Sequence, residues 1–392
     1  MNKTKQSLGA SRRSFLRTGG ASIAGLVGLM GLSKVLVPQP VTANSDAHNA
    51  IAAQSNQDIH SGHGDAGMVG EVDNVANQFD PHEVLTDFDY GELLEAEDGS
   101  LIRRWKIVAI NKEFEIAPGI FFPGWLYGSP TSAASKRVGH IVGQCPGPTL
   151  RCVEGERLQI EFTNASDHPH TIHFHSIHAA SMDGIPGVGR GNINPGETFV
   201  YEMDAKPFGC HLYHCHALPL KRHIHKGLYG AFIIDPDPEK YEGEEKEIAK
   251  TRNHTYPECQ AVHEMVMVMN GFDTNFDGAN EVYAANSIAF AYGMNRPIVI
   301  QPDQLQRIYL VNLTEFDLIN SLHIHANFFD YYDHGTTLYP TLKTVDTVMQ
   351  CQAQRGIVEV SFADFEPGLY MFHGHQSEFA ELGWMGFFQV EA

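Results

Sequence analysis

Hydrophobic and polar positions alternate in short runs over most of the chain from Ile102 onward. Examples are residues 105–110, 157–162, 198–203 and 230–234, each close to a Gly, Pro or Asn. Side chains of a strand point alternately to its two faces, so runs of this length and spacing predict strands. Many short strands in succession, with no long helical pattern between them, predict an all-β protein built from sandwiches.

Two segments lack this alternation and predict the organisation of the chain. Residues 44–95 are polar, rich in Asn, Asp, Gly and His, and are expected to form a flexible arm. Residues 237–256 contain Pro-Asp-Pro and a run of Glu and Lys, which predicts a linker. The remaining segments, 96–236 and 257–392, are expected to be two strand-rich domains.

The two strand-rich segments resemble repeats of one unit, because each carries two His-x-His pairs at matching places. From the first pair to the second the interval is 41 residues in one segment (His173 to His214) and 50 in the other (His323 to His373). A duplicated sandwich is the simplest account. The eight histidines are His173, His175, His214, His216, His323, His325, His373 and His375.

The histidine pairs predict transition-metal sites. Residues i and i+2 of a strand share a face, so each pair offers two imidazoles to one side. Neutral imidazole is the commonest transition-metal ligand, and eight buried rings would otherwise each need a hydrogen-bond partner. The chain has 22 histidines, ten of them between His168 and His225, which agrees with a specialised use of this side chain.

A second kind of site is predicted around Cys215, which stands between His214 and His216 and points to the opposite face. Together with His170 and His223 it would supply the His₂Cys set of a blue copper centre. Leu228 stands at the usual place of the weak axial methionine and cannot coordinate. The interval from Cys215 leaves His225 open as an alternative to His223, and the Gly-Leu that follows favours His223.

These motifs resemble those of the multicopper oxidases, and most closely the two-domain, laccase-like members. The resemblance covers residues 100–392 and includes 146–149, 154–156, 183–184, 194–196 and 227–230 besides the histidines. It implies two cupredoxin-like Greek-key β-sandwich domains and four copper ions per chain. His173 and His323 would bind the type 2 copper. The type 3 pair would be held by His175, His214, His216, His325, His373 and His375.

The chain also departs from the family pattern at two places. Alignment of the last histidine pair on His214-Cys215-His216 puts Gly374 at the thiolate position. Asn320 and Phe379 then replace the blue-copper histidines, and Trp384 stands at the axial position, so the second domain is expected to lack a blue copper. In the first domain, Cys215 and His223 are eight residues apart, where the family usually has five.

The resemblance implies an oxidase that couples one-electron oxidation of a reducing substrate to reduction of O₂ to water. The substrate would be a phenol, an aromatic amine, a metal ion or a small redox protein. Asp183 and Glu378 are candidate proton donors. Two-domain relatives assemble as rings of three with the cluster between subunits, which implies a homotrimer. A copper nitrite reductase and a non-enzymatic blue-copper carrier or copper-binding protein are the alternatives.

The first 43 residues are expected to be an export signal. Arg12 and Arg13 precede an apolar run at 21–32 and a small-residue site ending at Ala43, the pattern of a twin-arginine signal peptide. The destination would be the periplasm, the cell exterior or the cell surface. With 47 acidic against 27 basic residues, the chain has a formal charge of −20, which argues against nucleic-acid binding.

Overall fold

The structure is a computed structural model that describes residues 70–392, and these contain 22 strands and seven α-helices. The strands of the first half are β1 (Phe88–Asp89), β2 (Glu92–Glu95), β3 (Leu101–Ala117), β4 (Ile120–Gly128), β5 (Gly143–Gln144), β6 (Gly147–Val153), β7 (Arg157–Asn164), β8 (His173–Phe174), β9 (Thr198–Asp204), β10 (Gly209–His214) and β11 (Tyr229–Asp235). Those of the second half are β12 (His263–Phe272), β13 (Val282–Ala285), β14 (Ile298–Ile300), β15 (Gln306–Asn312), β16 (Ile319–Ile324), β17 (Phe329–Asp333), β18 (Leu342–Val345), β19 (Thr347–Cys351), β20 (Arg355–Val360), β21 (Gly368–His373) and β22 (Met385–Val390). The α-helices are α1 (Asn74–Asn77), α2 (Pro81–Thr86), α3 (Ala133–Val138), α4 (Leu220–His225), α5 (Gly243–Thr251), α6 (Pro257–Gln260) and α7 (Ser377–Glu381).

The strands form four sheets, two in each half of the chain. In the first half the orders are β1-β6-β11-β10-β8 and β5-β4-β3-β7-β9, with β2 paired to β3. In the second half they are β14-β22-β21-β16-β19 and β13-β12-β15-β20-β17-β18. The all-β prediction is confirmed, and each of the four runs used for it lies inside a strand.

The two halves share strand order and register, as the repeated histidine pairs predict. The order β6-β11-β10-β8 in the first half corresponds to β14-β22-β21-β16 in the second. His173 of β8 pairs with His214 of β10, and His323 of β16 pairs with His373 of β21. Each half therefore brings its two His-x-His pairs side by side on neighbouring antiparallel strands.

The halves pack against each other through a shared apolar core and a buried ionic network. The core contains side chains from both, including Leu126, Tyr229, Val266 and Tyr309. Arg151, which is fully buried, places Nη1 2.6 Å from the Glu264 carboxylate of the second half. Removing one partner from such a buried set leaves an unpaired charge, which costs about 3–5 kcal/mol. This network fixes the first-half sheet against the second.

The prediction of a flexible arm is wrong for residues 74–95. This segment forms α1, α2, β1 and β2, and Phe79, Val84 and Leu85 are buried in the cores. Its apolar residues are sparse, so they produce no periodicity, yet their burial against β3 and β12 orders the segment. His82 packs on Tyr292, with ring centroids 5.0 Å apart.

The predicted linker is folded as well, since residues 243–251 form α5 and Arg252 is buried. The export signal and residues 44–69 lie outside the described residues. Within residues 70–392, none of the helices is long and apolar enough to cross a membrane.

Candidate metal centres

The buried cluster around Cys215, called here the Cys215 cluster, consists of His170, Cys215 and His223. The Nδ1 atoms of the two histidines are 3.1 Å apart, and the Cys215 Sγ lies 3.3 Å from His223 Nδ1 and 3.8 Å from His170 Nδ1. All three side chains are buried. One thiol and two imidazole nitrogens thus converge on a single point, which matches the trigonal donor set of a blue copper centre.

Both histidines of this cluster are held in the neutral form, in which an imidazole nitrogen can bind a metal ion. Burial, with His223 close by, lowers the pKa of His170 to about 3. Burial likewise lowers the pKa of His223 to about 4 and raises that of the Cys215 thiol to about 11. The residues present therefore fit a bound cation, because two imidazole nitrogens and one thiol sulfur lie within 3.8 Å of one another in a buried site.

The structure places His223 and not His225 beside Cys215. His225 faces the other way, and its Nε2 accepts a hydrogen bond from the Asp273 backbone N–H at 2.9 Å. The short helix α4 begins inside the eight-residue interval and includes His223; its Ile224 is buried in the core, and Leu220 packs against the core while partly exposed. Leu228 is fully buried, and its carbonyl accepts from the Cys215 N–H at 2.9 Å.

The four histidines 173, 175, 214 and 216, called the first quartet, form a second cluster one residue away from Cys215. His175 Nε2 and His214 Nε2 are 3.0 Å apart, and burial lowers the pKa of His175 to about 2 and that of His214 to about 4. His214 Nδ1 contacts the Cys215 carbonyl at 2.9 Å, which fixes the ring with Nε2 outward. The His216 Nδ1 is buried and has no hydrogen-bond partner.

Histidines 323, 325, 373 and 375, called the second quartet, repeat this geometry. His325 Nε2 and His373 Nε2 are 3.1 Å apart, and His373 Nδ1 contacts the Gly374 carbonyl at 2.7 Å. The His375 N–H donates to Ser321 Oγ at 2.9 Å, just as the His216 N–H donates to the Thr171 hydroxyl at 2.9 Å. His325 and His375 are exposed, whereas His214 is 5% exposed.

Each quartet stands alone in the described part of the chain. Among the described residues, no group of ligand atoms within 4.8 Å of one another combines histidines of both quartets. Every close contact between quartet rings joins two rings of the same quartet. The single chain therefore presents two half-sites of identical design.

The position of a second blue copper is filled by an indole. Trp384 is 1% exposed and donates its Nε1–H to the Ser321 carbonyl at 3.0 Å. A Cβ atom added at Gly374 would lie 2.4 Å from Trp384 Cδ1. Asn320 is buried and hydrogen-bonded to Thr314, and Phe379 stacks on Tyr283 at 4.0 Å. No donor set equivalent to the Cys215 cluster exists there.

The two candidate proton donors differ in their placement. The Asp183 carboxylate lies 2.9 Å from His173 Nδ1, and its carbonyl oxygen lies 2.8 Å from the same nitrogen. His178, which the sequence did not single out for this role, joins them with Nε2 3.9 Å from the Asp183 carboxylate. Glu378 is exposed on α7, and its carboxylate makes no hydrogen bond to the second quartet.

Comparison with known proteins decides the family. The multicopper oxidase models match residues 125–239 and 262–392. A solved multicopper oxidase is 48% identical, with a TM-score of 0.70, over 82% of this chain and 100% of that one. The chain belongs to the multicopper oxidase family. This membership confirms the cupredoxin-like β-sandwich fold and implies copper as the cofactor.

Curated relatives of this multicopper oxidase match over a shorter stretch. Copper resistance protein A of Escherichia coli is 35% identical over 29% of this chain, and Laccase 1 of Metarhizium acridum is 34% identical over 30%. Each match spans 19% of the relative's length. The copper nitrite reductase of Nitrosomonas europaea has a TM-score of 0.58 at 19% identity, over 74% of this chain and 94% of that one, and it shares the fold alone.

Proposed function

We propose that this multicopper oxidase takes single electrons from a reducing substrate at a blue copper and uses four of them to reduce O₂ to two waters. The observation that carries the proposal is the strand position of Cys215. Its two neighbours in sequence, His214 and His216, belong to the first quartet, so the Cys215 cluster and the quartet are joined through one short covalent path. A blue-copper electron carrier would need only the Cys215 cluster and would not require the two histidine quartets.

The proposed ligand sets follow the clusters. His170, Cys215 and His223 would hold the type 1 copper, with Leu228 in place of an axial ligand. His173 and His323 would hold the type 2 copper. The type 3 pair would be held by His175, His214, His216, His325, His373 and His375. When bound, the four ions supply one-electron acceptance and four-electron reduction of O₂.

The protein's own residues orient these rings and move protons. Carbonyl groups fix the tautomers: those of Cys215 and Gly374 hold His214 and His373, so that Nε2 of each ring is free. Asp183 holds His173 through both its carbonyl and its carboxylate, and it stands where protons must arrive during formation of water. Glu378, exposed on α7, is proposed as a second proton donor.

Nitrite reductase is disfavoured by two residues. In those enzymes an aspartate stands at the position of His173 and an alanine at the position of His216. Both differences add a ligand to the first quartet.

A homotrimer with the oxygen-reducing site between subunits would unite the half-sites. Neither quartet alone offers enough nitrogens for three ions, and the second is exposed. Exposed apolar side chains lie on the segments next to its strands: Leu318 is 89% exposed, Phe328 58% and Met349 61%. Met349 belongs to β19, the edge strand that pairs with the His323 strand. Exposed apolar surface of this kind marks interfaces, and heterologous contacts form a closed ring when the rotation between subunits closes. The number of three subunits is carried over from the resemblance to two-domain relatives.

We propose two domains at 96–236 and 257–392, joined by 237–256, with β1 and β2 from the preceding segment added to the sheets of the first domain. The signal at 1–43 would direct twin-arginine export to the periplasm, the exterior or the cell surface. O₂ and a small-molecule or metal-ion substrate would be the partners, with a redox protein as a further electron donor and no nucleic acid.

Oxygen uptake measured against donor oxidation tests the activity. The copper-loaded protein is expected to consume one O₂ for every four electrons taken from a phenol, with no peroxide released. Substitution of His175 and His214 by alanine should abolish uptake and leave the visible band of the blue copper. Nitrite reduction without O₂ uptake would contradict the proposal.

Mixed assembly tests the location of the oxygen-reducing site. One variant carries His175→Ala and His214→Ala, and another carries His325→Ala and His373→Ala. Each alone should be inactive. Produced together, they should regain about a quarter of the wild-type sites if each site joins two subunits in a random ring. No recovery in mixed assemblies, at full copper loading, would contradict an inter-subunit site.

A further inference from the structure

The edge of the His173 ring that carries Nδ1 belongs to a further group of metal-binding atoms. His173 Nδ1 lies 2.9 Å from an oxygen of the Asp183 carboxylate, and His178 Nε2 lies 3.9 Å from the same oxygen. The three ligand atoms lie within 4.8 Å of one another. Because Nδ1 and Nε2 point away from each other, this group, called here the His178 site, is separate from the proposed position of the type 2 copper.

The spacing of these atoms fits a tetrahedral zinc ion. Bonds of about 2.0–2.1 Å from zinc to nitrogen or oxygen place two tetrahedral ligands about 3.3 Å apart. The observed separations of 2.9 and 3.9 Å lie on either side of this value. Two imidazoles and one carboxylate are also a set that zinc takes in proteins, with water in the fourth position.

The hydrogen bonding of His178 turns a free lone pair towards the carboxylate. His178 Nδ1 lies 3.1 Å from the Ala179 carbonyl oxygen, which can only accept, so Nδ1 carries the proton of the neutral ring. Nε2 is then an acceptor, and it faces the Asp183 carboxylate at 3.9 Å, beyond hydrogen-bond distance. Two acceptors that face each other in this way are ligands for a cation.

The backbone holds Asp183 against the first quartet. A 3₁₀ turn at Ala180–Met182 leads into Asp183, and Gly184 follows with a φ of +73°. A Cβ atom at Gly184 would lie 2.0 Å from the Ile172 carbonyl oxygen, so glycine is required for this close approach to the segment that carries His173. The fold itself therefore fixes the Asp183 carboxylate beside His173.

A cation can reach the His178 site from solvent. The side chains of His173, His178 and Asp183 are 19%, 12% and 24% exposed. His178 lines a cavity of about 480 Å³ and a second one of about 540 Å³, and the second is also lined by His173. The chain has a formal charge of −20, which attracts cations.

We propose that His173 Nδ1, His178 Nε2 and the Asp183 carboxylate bind a divalent zinc ion that inhibits the oxidase. His173 Nδ1 donates to the Asp183 carbonyl at 2.8 Å, so zinc takes the place of this proton, which passes to water. When copper holds Nε2, the His173 ring bridges the two ions as an imidazolate. Zinc also withdraws Asp183 from proton delivery and thereby slows O₂ reduction. The inhibition rests on the function proposed above, whereas the zinc site does not.

Metal analysis of the copper-loaded holoenzyme, equilibrated with buffered Zn²⁺, tests the site. The wild-type protein is expected to hold one zinc ion per chain more than His178→Gln, at equal copper content. The affinity of the site should fall more than about 100-fold in this variant, because loss of an outer partner alone costs about 10- to 100-fold. His140→Gln is the matched control, since His140 is exposed and belongs to no metal-binding group of the described residues.

Zinc held elsewhere on the chain is the same in all three proteins, so only their difference reports the His178 site. Equal zinc content in the wild type and His178→Gln would overturn the proposal, and so would loss of one copper for each zinc gained. Anomalous diffraction at the zinc edge locates the ion directly. A peak between His173, His178 and Asp183 is expected, and zinc peaks confined to other positions would contradict the site.

Electron paramagnetic resonance and O₂ uptake test the consequences of zinc binding. Zinc should change the type 2 copper signal of the wild type and leave that of His178→Gln unchanged, because the two ions share His173. It should slow O₂ uptake by the wild type about 10- to 100-fold, as removal of the Asp183 carboxylate would. Mg²⁺, which prefers oxygen ligands, should have no effect.

The two kinds of readout keep the proposals apart. If the copper-loaded protein takes up no O₂, the proposed function fails, while zinc content and diffraction still decide whether the His178 site exists. Unchanged O₂ uptake at full zinc occupancy would overturn the inhibitory role.

Discussion

Gly374 should tolerate no side chain, because Trp384 occupies the space that a second blue copper would need. A Cβ atom at position 374 would lie 2.4 Å from Trp384 Cδ1 and 3.0 Å from its Nε1. The indole is 1% exposed and is held by its hydrogen bond to Ser321. Overpacking of this kind costs about 1–3 kcal/mol, so Gly374→Ala should lower the free energy of unfolding by that amount.

The assay is chemical unfolding of the metal-free protein, followed by tryptophan fluorescence and circular dichroism. Gly368→Ala is the control, since Gly368 begins β21, the strand that ends immediately before Gly374, and a Cβ there meets nothing within 4 Å. Trp384→Leu alone should cost about 3 kcal/mol through the cavity it leaves. In the double variant Gly374→Ala/Trp384→Leu, the alanine should add little to the loss of stability caused by Trp384→Leu. The interaction free energy between the two substitutions is therefore expected to be about 1–3 kcal/mol. The reasoning is refuted if Gly374→Ala lowers the free energy of unfolding no more than Gly368→Ala does. It is also refuted if the losses of Gly374→Ala and Trp384→Leu simply add in the double variant.

Three further predictions follow from the clusters. Cys215→Ser should remove the visible charge-transfer band of the copper-loaded protein while copper stays in the quartets; absorption and copper analysis check this, and a surviving band would exclude Cys215 as ligand. Asp183→Asn should slow O₂ reduction about 10- to 100-fold with an unchanged blue-copper potential, and full activity would remove Asp183 from the account. The metal-free protein should lose stability as pH falls from 6.5 towards 4. In that range His170 and His214 bind protons in the unfolded chain. In the folded protein they stay neutral, because their pKa values there are about 3 and about 4. Each group contributes about 1.4 kcal/mol per pH unit; unfolding midpoints that are constant between pH 4 and 6.5 would contradict the pKa directions.

Much of the site could be predicted from the sequence because strand geometry converts spacing into direction. The period of two places both histidines of a pair on one face, and duplication repeats the arrangement, so His173 and His323 were expected in equivalent positions. The choice between His223 and His225 depends on whether the interval after Cys215 forms an extended loop or a helix. In the structure this interval leads into α4, which turns the His223 ring towards Cys215.

Other features depend on packing across long sequence separations, which local patterns do not encode. Phe79 and Leu85 lie in a polar segment without periodicity, yet they are buried against strands far along the chain. Trp125 is one aromatic residue in an apolar run, and nothing in the sequence marks it as the side chain that packs on His170 and His223. Trp384 was expected only to be unable to coordinate, whereas the structure shows it filling the lost site.

Copper analysis combined with electron paramagnetic resonance of the purified, oxidised protein tests the central claim most directly. The account predicts four copper ions per chain, of which one gives a blue-copper signal and one a normal copper(II) signal, while a coupled pair stays silent. One copper per chain with a blue signal alone would contradict it, because the quartets would then hold no metal. Full copper content with every ion visible in the spectrum would contradict the coupled pair.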